Sequence, residues 1–335
     1  MEIKELTKEE EKLWGDYIKD NPKSNFFHQI GWKKVIEDTF GMEPLYLFLE
    51  DRGEIRGILP LFKANNKLIS LPFATEAGVI ADNPLYEKSL IENAIGIAKK
   101  EGLKLIELRQ QNLISNDKLK SLDIYFNLFL ELNSDSVVMW RKLNKKVRNS
   151  TRKAKKMGVI IEEGNIDEFY KIFSINMRNL GTPVDRKDFF VNILKEFPGQ
   201  TKILVAEYNK KPIAALFMLY FKDKVRVQWA SSLKKHKSLN PNNLLYWEAI
   251  KKACNENLRC FNFGKSMEGE GTFNFKKKWG AKPEQLFYYF YLNKTKQIPD
   301  ISKTNPKRKL FMSIWKKVPL SIANKIGPLL RERFA

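Results

Sequence analysis

The segment of the sequence best suited to bind a ligand contains a glycine directly after a buried strand. Residues 261–280 read FNFGKSMEGEGTFNFKKKWG, and Gly264, Lys265 and Ser266 follow the apolar strand pattern that ends at position 263. A glycine lets the backbone approach a ligand closely, and α/β proteins bind ligands at the carboxyl ends of their strands. The alternative is an ordinary turn that ends the strand.

Three consecutive lysines end a short predicted helix in the same segment. Lys276 is therefore a candidate for contact with a charged group, with Lys277 as an adjacent phosphate contact. Acyl transfer to an amine requires a held donor carbonyl, a neutral attacking amine and a stabilised oxyanion, and an ammonium group provides the last of these. The competing interpretation is a solvated basic helix face, which the residue spacing alone favours.

A second group of candidates is suited to binding an acceptor. Arg178 and Thr182 lie in the string MRNLGTPV, in which Gly181 predicts a helix end and Pro183 favours extended backbone before it. A guanidinium group binds carboxylates and phosphates in bidentate fashion, although Arg178 could equally be a cation at a helix end. Gln228 lies on a predicted central strand and is a candidate for facing the cleft.

Positive charge is concentrated in two places. The 335 residues include 60 Lys and Arg against 39 Asp and Glu, a net charge of +21. Nine basic residues and no acid lie within 141–156, and nine basic residues with one acid lie within 303–335. Each patch suits a phosphate-rich partner such as tRNA, or is a solvated helix face or tail. The tail is also amphipathic, which suits either packing on the protein or contact with an anionic membrane surface.

Composition excludes several classes of protein. The two cysteines exclude a disulfide scaffold, and the two histidines argue against a metal hydrolase. The longest apolar runs are about half of the ~20 residues needed to cross a bilayer, and the polar first residues predict no signal peptide. We therefore expect a cytoplasmic protein, with association at the inner membrane face as an option.

Apolar periodicity predicts alternating strands and helices. In the first half, strands are predicted at 45–50, 55–62, 104–109 and 125–132, and helices at 84–102 and, as one basic helix, at 136–157. In the second half, the pattern predicts strands at 159–162, 202–208, 212–221, 224–231, 259–263 and 285–292, and helices at 166–177, 185–196, 242–257 and 272–278. Pro319 and Pro328 should interrupt any long helix in the tail.

The two halves share a pattern. Five residues recur 155 positions later, namely Ala94, Ile95, Ala98, Glu101 and Leu103 as Ala249, Ile250, Ala253, Glu256 and Leu258. The hairpin over 55–61 also recurs, with an offset of 158, at 213–219. Two matching windows in the same order favour an internal duplication over two units that merely share a composition.

The order of elements in the second half resembles the GNAT acyltransferase fold, in which a mixed sheet splays around the acyl donor. A duplicated unit with a basic segment between the copies is similar to the Fem-type (FemABX) family, which transfers amino acids from aminoacyl-tRNA to peptidoglycan precursors. The strings at 140–158 (WRKLNKKVRNSTRKAKKMG), 177–184 and 261–280 resemble a Fem-like branch associated with exopolysaccharide and PEP-CTERM systems.

The resemblance implies an α/β (α+β) fold of two tandem GNAT-like units and assigns roles to residues. The units are predicted at 1–135 and 158–296, joined by the basic helix at 136–157 and followed by the tail at 297–335. Phe275 and Lys276 match the family's Phe-Lys pair, which implies that the Lys276 ammonium stabilises the donor carbonyl. Lys277 would contact a donor phosphate, and Lys33 of the first unit would contact the acceptor precursor.

The donor and the function follow from the same resemblance. GNAT acetyltransferases bind the coenzyme A pyrophosphate with a glycine-bearing loop after the fourth strand, and residues 230–235 here contain no glycine. This disfavours coenzyme A and leaves aminoacyl-tRNA as the expected donor, with no tightly bound cofactor. The expected function is transfer of an acyl or aminoacyl group to an amine of a cell-envelope precursor. The alternatives are an acyl-coenzyme A-dependent N-acetyltransferase and a non-catalytic scaffold that binds nucleic acid or membrane.

Overall fold

The computed structural model describes residues 1–300 and 305–332. The first part of the chain forms three α-helices and seven strands. In chain order they are β1 (Glu2–Glu5), α1 (Glu11–Asp20), α2 (Ile30–Phe40), β2 (Glu43–Asp51), β3 (Glu54–Ala64), β4 (Lys67–Ile69), β5 (Ile80–Ala81), α3 (Pro84–Lys100), β6 (Leu105–Gln110) and β7 (Lys120–Glu131).

The remaining described residues form eight α-helices and six strands. They are α4 (Ser136–Lys142), α5 (Lys145–Lys156), β8 (Ile160–Glu163), α6 (Ile166–Leu180), α7 (Lys187–Glu196), β9 (Thr201–Tyr208), β10 (Lys211–Phe221), β11 (Lys224–Ser232), α8 (Pro241–Asn255), β12 (Cys260–Met267), α9 (Gly271–Lys277), β13 (Lys282–Leu292), α10 (Pro306–Trp315) and α11 (Leu320–Glu332).

The basic segment expected to be one helix is two helices, so the prediction of a single helix was wrong. Leu143 leaves the helical conformation, and the side chain of Asn144 then accepts a hydrogen bond from the Lys146 N–H at 2.8 Å. Asparagine is a strong N-cap residue, and it starts a new helix here rather than continuing the old one. In α5, Val147, Thr151 and Ala154 are buried while most of the basic side chains are exposed.

The chain divides into two compact units, one of residues 1–125 and 285–300 and the other of residues 126–284 and the C-terminal helices. The sequence-based boundaries differ in two places. Residues 126–135 lie in the second unit, and β13, assigned from sequence to the second unit, has most of its residues in the first. The choice of a strand's partner is a long-range property, and the local residue pattern that predicted β7 and β13 does not encode it.

The sheet of the first unit has the strand order β1-β2-β3-β4-β6-β13, and β5 pairs with β3. All these pairs are antiparallel except β4 with β6, which run parallel over only three residue pairs, from Lys67–Leu105 to Ile69–Glu107. Helix α3 begins at Pro84 after the capping side chain of Asn83, and it buries Leu90, Ala94 and Ala98 against this sheet.

The sheet of the second unit repeats the same plan with the strand order β8-β9-β10-β11-β12. Its single parallel pair, β11 with β12, again covers only three residue pairs, from Lys224–Cys260 to Arg226–Asn262. Helix α8 also begins with a proline after an asparagine, at Asn240-Pro241. The internal repeat in the sequence therefore corresponds to two copies of one mixed sheet with a single short parallel pair, as expected for tandem GNAT-like units.

Aromatic packing fixes helices α6 and α7 on the sheet of the second unit. Phe169 and Phe190 lie 5.2 Å apart between ring centroids, and both rings contact Phe217 of β10. Trp229 of β11 packs on Phe190 at 5.0 Å. Each fully buried side chain of this size contributes about 1.5–3 kcal/mol to folding, so this cluster holds the start of the strand divergence in place.

The described part of the tail packs on the second unit. Trp315 and Ala323 are buried, and helix α11 continues through Pro328, where the sequence predicted an interruption. Gly327, which precedes that proline in α11, packs closely against Val184. The helix is therefore in close contact with the second unit at the position where the interruption was predicted. Residues 301–304 and 333–335 of the predicted tail lie outside the described residues.

In the first unit, a buried ion cluster lies at the short parallel pair of β4 and β6. The Glu107 carboxylate contacts the Arg109 guanidinium at 2.8 Å and the Lys67 ammonium at 3.2 Å. Burial raises the pKa of Glu107, but the two cations outweigh it and lower that pKa to about 2. The Arg109 side chain also donates a hydrogen bond to the carbonyl of Ala74. The charged groups of this cluster are therefore paired with one another inside the first unit.

We expect Arg109→Leu to destabilise the protein by about 3–5 kcal/mol, because it leaves the buried Glu107 carboxylate with one cation instead of two. Urea denaturation gives the free energy of unfolding. The matched control is Arg259→Leu, which breaks an exposed 3.8 Å pair with Asp223 and should cost less than about 1 kcal/mol. Equal effects of the two variants would contradict a structural role for the Glu107 cluster.

Candidate active site

The divergence of β11 from β12 creates the candidate site in the second unit. Pairing ends at Arg226 and Asn262, although both strands continue for several residues. On its other side, β11 has a bulge, because Phe217 faces Trp229 and the next residue of β10 faces Val227, so that Gln228 is extra. Backbone groups of both strands beyond this point are left for other partners, and this is the splay that the GNAT resemblance predicted.

Gly264 shapes this edge of the site. Its φ of +77° lies in the left-handed region, and a Cβ at this position would lie 2.7 Å from the carbonyl oxygen of Val227 on the neighbouring strand. The side chain of Asn262 accepts the Gly264 N–H at 2.7 Å and holds this conformation. Only glycine fits such a backbone so close to another strand, and the conformation directs the Gly264 carbonyl towards the Lys276 ammonium.

Lys276 is a buried lysine held by main-chain carbonyl groups. Its Nζ donates hydrogen bonds to the carbonyl oxygens of Gly264 at 2.9 Å and Lys265 at 3.0 Å, and the residue is 7% exposed. Phe273 and Trp279, both buried in the core of the second unit, fix helix α9, which carries the lysine. The lysine predicted to face a solvated helix surface on spacing alone is therefore turned inwards onto the end of β12.

The surroundings of Lys276 disfavour its charged form. Burial and, to a smaller extent, the charge of Arg226 lower the pKa of the Lys276 amine to about 7, although Glu270 acts in the opposite direction. The amine therefore interconverts between its ammonium and neutral forms near neutral pH. An ammonium group bonded to two carbonyls has a third N–H for a substrate oxygen, and the neutral amine has a lone pair instead.

The other residues predicted to bind the donor lie on β12 and α9, and they differ in their contacts and in their exposure. Lys265 contributes its carbonyl to Lys276, and the buried Ser266 donates a hydrogen bond to Thr272 at 3.4 Å. Phe275 packs in the core, 5.4 Å from the ring of Tyr246. Lys277 is exposed, with its Nζ 5.7 Å from the ring centroid of Phe273, and its contact with a donor phosphate stays a prediction.

The predicted acceptor residues Arg178 and Thr182 lie at the end of helix α6. The Thr182 N–H donates to the carbonyl of Met177, after Gly181 with φ of +82°, and so closes the helix. Arg178 donates a hydrogen bond from Nη1 to the carbonyl of Lys316 at 3.3 Å. In this structure Arg178 therefore joins α6 to the end of α10, and Thr182 closes the end of α6.

Gln228 and Lys33 are separated in the fold. Gln228 lies in the bulge of β11, where its side chain accepts a hydrogen bond from Arg226 Nε at 2.6 Å, so it belongs to the splay that contains Lys276. Lys33 lies in the first unit and forms an ion pair with Glu11 at 3.0 Å. Gly264, Lys265, Ser266 and Gln228 lie on the two diverging strands, and their roles in binding stay predictions.

Sequence reasoning missed two polar residues at the splay, Arg226 and Asn127. Arg226 is buried on β11 and donates from Nη2 to the Asn127 side-chain oxygen at 3.4 Å. Asn127 is fully buried on β7, and its amide nitrogen has no hydrogen-bond partner. The available signal was a charged residue between Val225 and Val227 in an otherwise apolar strand, since a buried charge needs a specific reason.

Two other kinds of site are not found among the described residues. No group of three or more His, Cys, Asp or Glu side chains is arranged to hold a metal ion. No helix in residues 1–300 or 305–332 has the length and apolarity needed to cross a membrane.

Comparisons with known proteins place this geometry in a class. Residues 141–277, which include the splay and Lys276, match the Acetyltransferase (GNAT) domain family. The structure resembles FemX with a TM-score of 0.68 and 13% identity, over 88% of this chain and 98% of FemX. It also resembles a tandem GNAT protein from the clavulanic acid biosynthesis pathway, solved without AcCoA, with a TM-score of 0.60 and 9% identity, over 89% of this chain and 99% of that one.

A third similar structure is the C-terminal domain of an Agrobacterium fabrum protein described as a lysylphosphatidylglycerol synthetase. Its TM-score is 0.58 at 12% identity, over 84% of this chain and 92% of that one. No curated protein matches the sequence significantly.

The domain match and the splayed strands define the second unit as a GNAT acyltransferase domain. The chain as a whole has the Fem-type tandem GNAT fold and is an acyltransferase.

Gly264→Ala should destabilise the protein by about 2–3 kcal/mol, since it adds a left-handed backbone penalty to a clash with the Val227 carbonyl. Gly269→Ala is the matched control, because Gly269 has φ of +82° with open space around it, and its cost should be about 1 kcal/mol. Thermal and urea denaturation measure both variants. If Gly264→Ala costs no more than Gly269→Ala, the close approach of β12 to β11 is wrong.

Proposed function

We propose that the protein is a Fem-like transferase that moves an activated acyl or aminoacyl group onto an amine of a cell-envelope precursor, either of peptidoglycan or of exopolysaccharide. The observation that carries the proposal is the buried Lys276 ammonium at the point where β11 and β12 diverge. A GNAT acyltransferase domain binds its donor in this splay, and a cation there faces the carbonyl that must gain negative charge.

The proposed reaction uses Lys276 as an electrostatic group. The acceptor amine attacks the donor carbonyl carbon, and the carbonyl oxygen becomes negatively charged. The third N–H of Lys276 stabilises this oxygen while the carbonyls of Gly264 and Lys265 hold the other two. The C–N bond forms, the ester C–O bond of the donor breaks, and the proton lost by the amine is balanced by the proton gained by the leaving oxygen.

Two observations support an aminoacyl-tRNA donor. Helix α5 carries exposed basic side chains on a helix that is anchored by Val147 and Ala154, which suits a phosphate backbone. FemX and a protein described as a lysylphosphatidylglycerol synthetase are among the similar structures, and both support a donor that carries an aminoacyl group. Acceptor recognition by Arg178, Thr182, Gln228 and Lys33 stays a prediction, as does the exopolysaccharide branch.

The second candidate is transfer from acyl-coenzyme A, which the acetyltransferase domain match favours. The connection from β11 to α8 argues against it. A 3₁₀ helix, Lys234–Leu239, fills this connection, which contains no glycine, and α8 begins with Pro241, which has no N–H to donate to a pyrophosphate.

Direct assay of donors separates the two candidates. We expect mass spectrometry to detect transfer of a labelled amino acid from charged tRNA to an envelope precursor, and calorimetric titration to detect no micromolar binding of coenzyme A. Uncharged tRNA is the control for binding without transfer. Micromolar coenzyme A binding with acetyl transfer would establish the second candidate. Salt-dependent tRNA binding without any transfer would identify a non-catalytic scaffold.

Lys276→Ala should lower turnover by about 10²–10³ with little change in acceptor binding. The ratio of wild-type to Lys276→Ala turnover cancels the ionisation of the acceptor amine, so it reports Lys276 alone. Because the pKa of Lys276 is about 7, the ammonium form is lost as the pH rises through that value, and the ratio should fall between about pH 6 and about pH 9.

The matched control is Lys278→Ala, a neighbouring exposed lysine whose removal should leave turnover unchanged. A ratio that rises with pH would show that Lys276 acts as a neutral base instead of a charged group. A ratio of one at every pH would remove Lys276 from the mechanism.

A further inference from the structure

The two C-terminal helices are fixed on the second unit by one face of each. Trp315 of α10 and Ala323 of α11 are buried. The backbone of Met312 packs against Gly181, where an added Cβ would meet the Met312 carbonyl oxygen at 2.6 Å, and Gly327 packs against Val184. These close backbone contacts define which face of each helix points towards the protein.

Polar contacts reinforce this attachment. The Arg331 guanidinium pairs with the buried Asp185 carboxylate at 2.7 Å, and Arg178 donates to the carbonyl of Lys316 at the end of α10. Arg186 forms a further ion pair with Glu332 at 3.4 Å. Both helices are therefore held in a defined orientation, and their outer faces are a fixed surface.

That outer face is apolar, which packing on the protein does not explain. Its large apolar side chains are between 38% and 63% exposed, and they are Leu310, Ile314, Ile322, Ile326 and Leu329. Leu310 and Ile314 are four residues apart in α10, and the three apolar residues of α11 follow one another at spacings of four and three. These spacings place the side chains of each helix along one stripe. A helix that only covers a protein core presents polar residues on its outer face, so these stripes indicate a second apolar surface.

Positive charge surrounds the stripes. Residues 305–332 contain seven basic side chains and one acidic side chain, Glu332. The exposed basic residues are Lys307, Arg308, Lys309, Lys316, Lys317 and Lys325. Apolar side chains flanked by lysines match the two layers of a membrane surface, since the apolar groups enter the acyl boundary while the amines stay among anionic headgroups.

The charge also decides between possible occupants. A second copy of the chain would bring the same dense positive charge against itself, and like charges oppose such an interface. A nucleic acid would satisfy the lysines and leave the apolar stripes in water. An anionic bilayer satisfies both features at once.

We propose that the outer face of α10 and α11 docks the protein on the surface of a bilayer that contains anionic lipid. The attachment is peripheral, since it uses helices that lie along the surface. The docking surface shares no residue with the Lys276 site. The proposed membrane attachment therefore does not depend on the identity of the donor or the acceptor.

Sedimentation of the full chain with vesicles tests this proposal. Vesicles of phosphatidylcholine with phosphatidylglycerol should bind the protein at least about tenfold more tightly than vesicles of phosphatidylcholine alone, and added salt should weaken binding. The triple variant Leu310→Ser, Ile314→Ser and Leu329→Ser should lose about tenfold or more of this affinity. The triple variant Lys316→Gln, Lys317→Gln and Lys325→Gln should lose the preference for anionic lipid.

The matched control is Leu85→Ser, Leu113→Ser and Ile160→Ser, three apolar side chains of similar exposure elsewhere on the protein, which should bind vesicles like the wild type. Equal binding to neutral and anionic vesicles, or equal binding by both serine variants, would overturn the proposal. Light scattering that shows a dimer abolished only by the α10–α11 serine variant would assign this face to a second copy. Vesicle and RNA binding lost together in the glutamine variant, with the serine variant unaffected, would assign it to a general polyanion.

Discussion

The chemistry proposed for this protein depends on the early end of pairing between β11 and β12. After three residue pairs the strands separate, and the left-handed backbone at Gly264 presents carbonyls that β11 no longer bonds. Lys276 takes up two of these carbonyls and becomes buried by doing so. A full ladder between the strands would leave neither the space nor the acceptors for this amine.

The two units share one sheet arrangement but carry different residues at equivalent positions of β6 and β12. Under the 155-residue offset of the internal repeat, Glu107 of the first unit corresponds to Asn262 of the second, and Arg109 corresponds to Gly264. In the first unit these positions hold a carboxylate and a guanidinium that satisfy one another. In the second unit a neutral amide and a glycine replace the ion pair, and the Gly264 carbonyl accepts a hydrogen bond from Lys276 instead. This difference explains why we place the chemistry in the second unit.

The sequence predicted the parts of this fold that local pattern controls. The α8–β12 crossover has helical periodicity followed by an apolar strand pattern. Gly264 indicated the position in β12 at which the backbone adopts a left-handed conformation that favours glycine. Asn144, which caps α5 and divides the basic segment, is visible in the sequence. The run of helix-forming residues around it nevertheless favoured the prediction of a single helix. The membership of β13 in the first unit and the inward turn of Lys276 are tertiary effects, since both depend on partners far away in the chain.

Packing alone does not account for a lysine at position 276. Phe273 and Trp279 already anchor α9 in the core, so an apolar side chain between them would hold the helix without the cost of burying an amine. The same burial brings the pKa of Lys276 close to neutrality, with the Arg226 charge acting in the same direction. An amine that is costly to bury and that changes charge near physiological pH is typical of a residue placed for its chemistry, and the splayed strands give it a carbonyl-binding position in which to act.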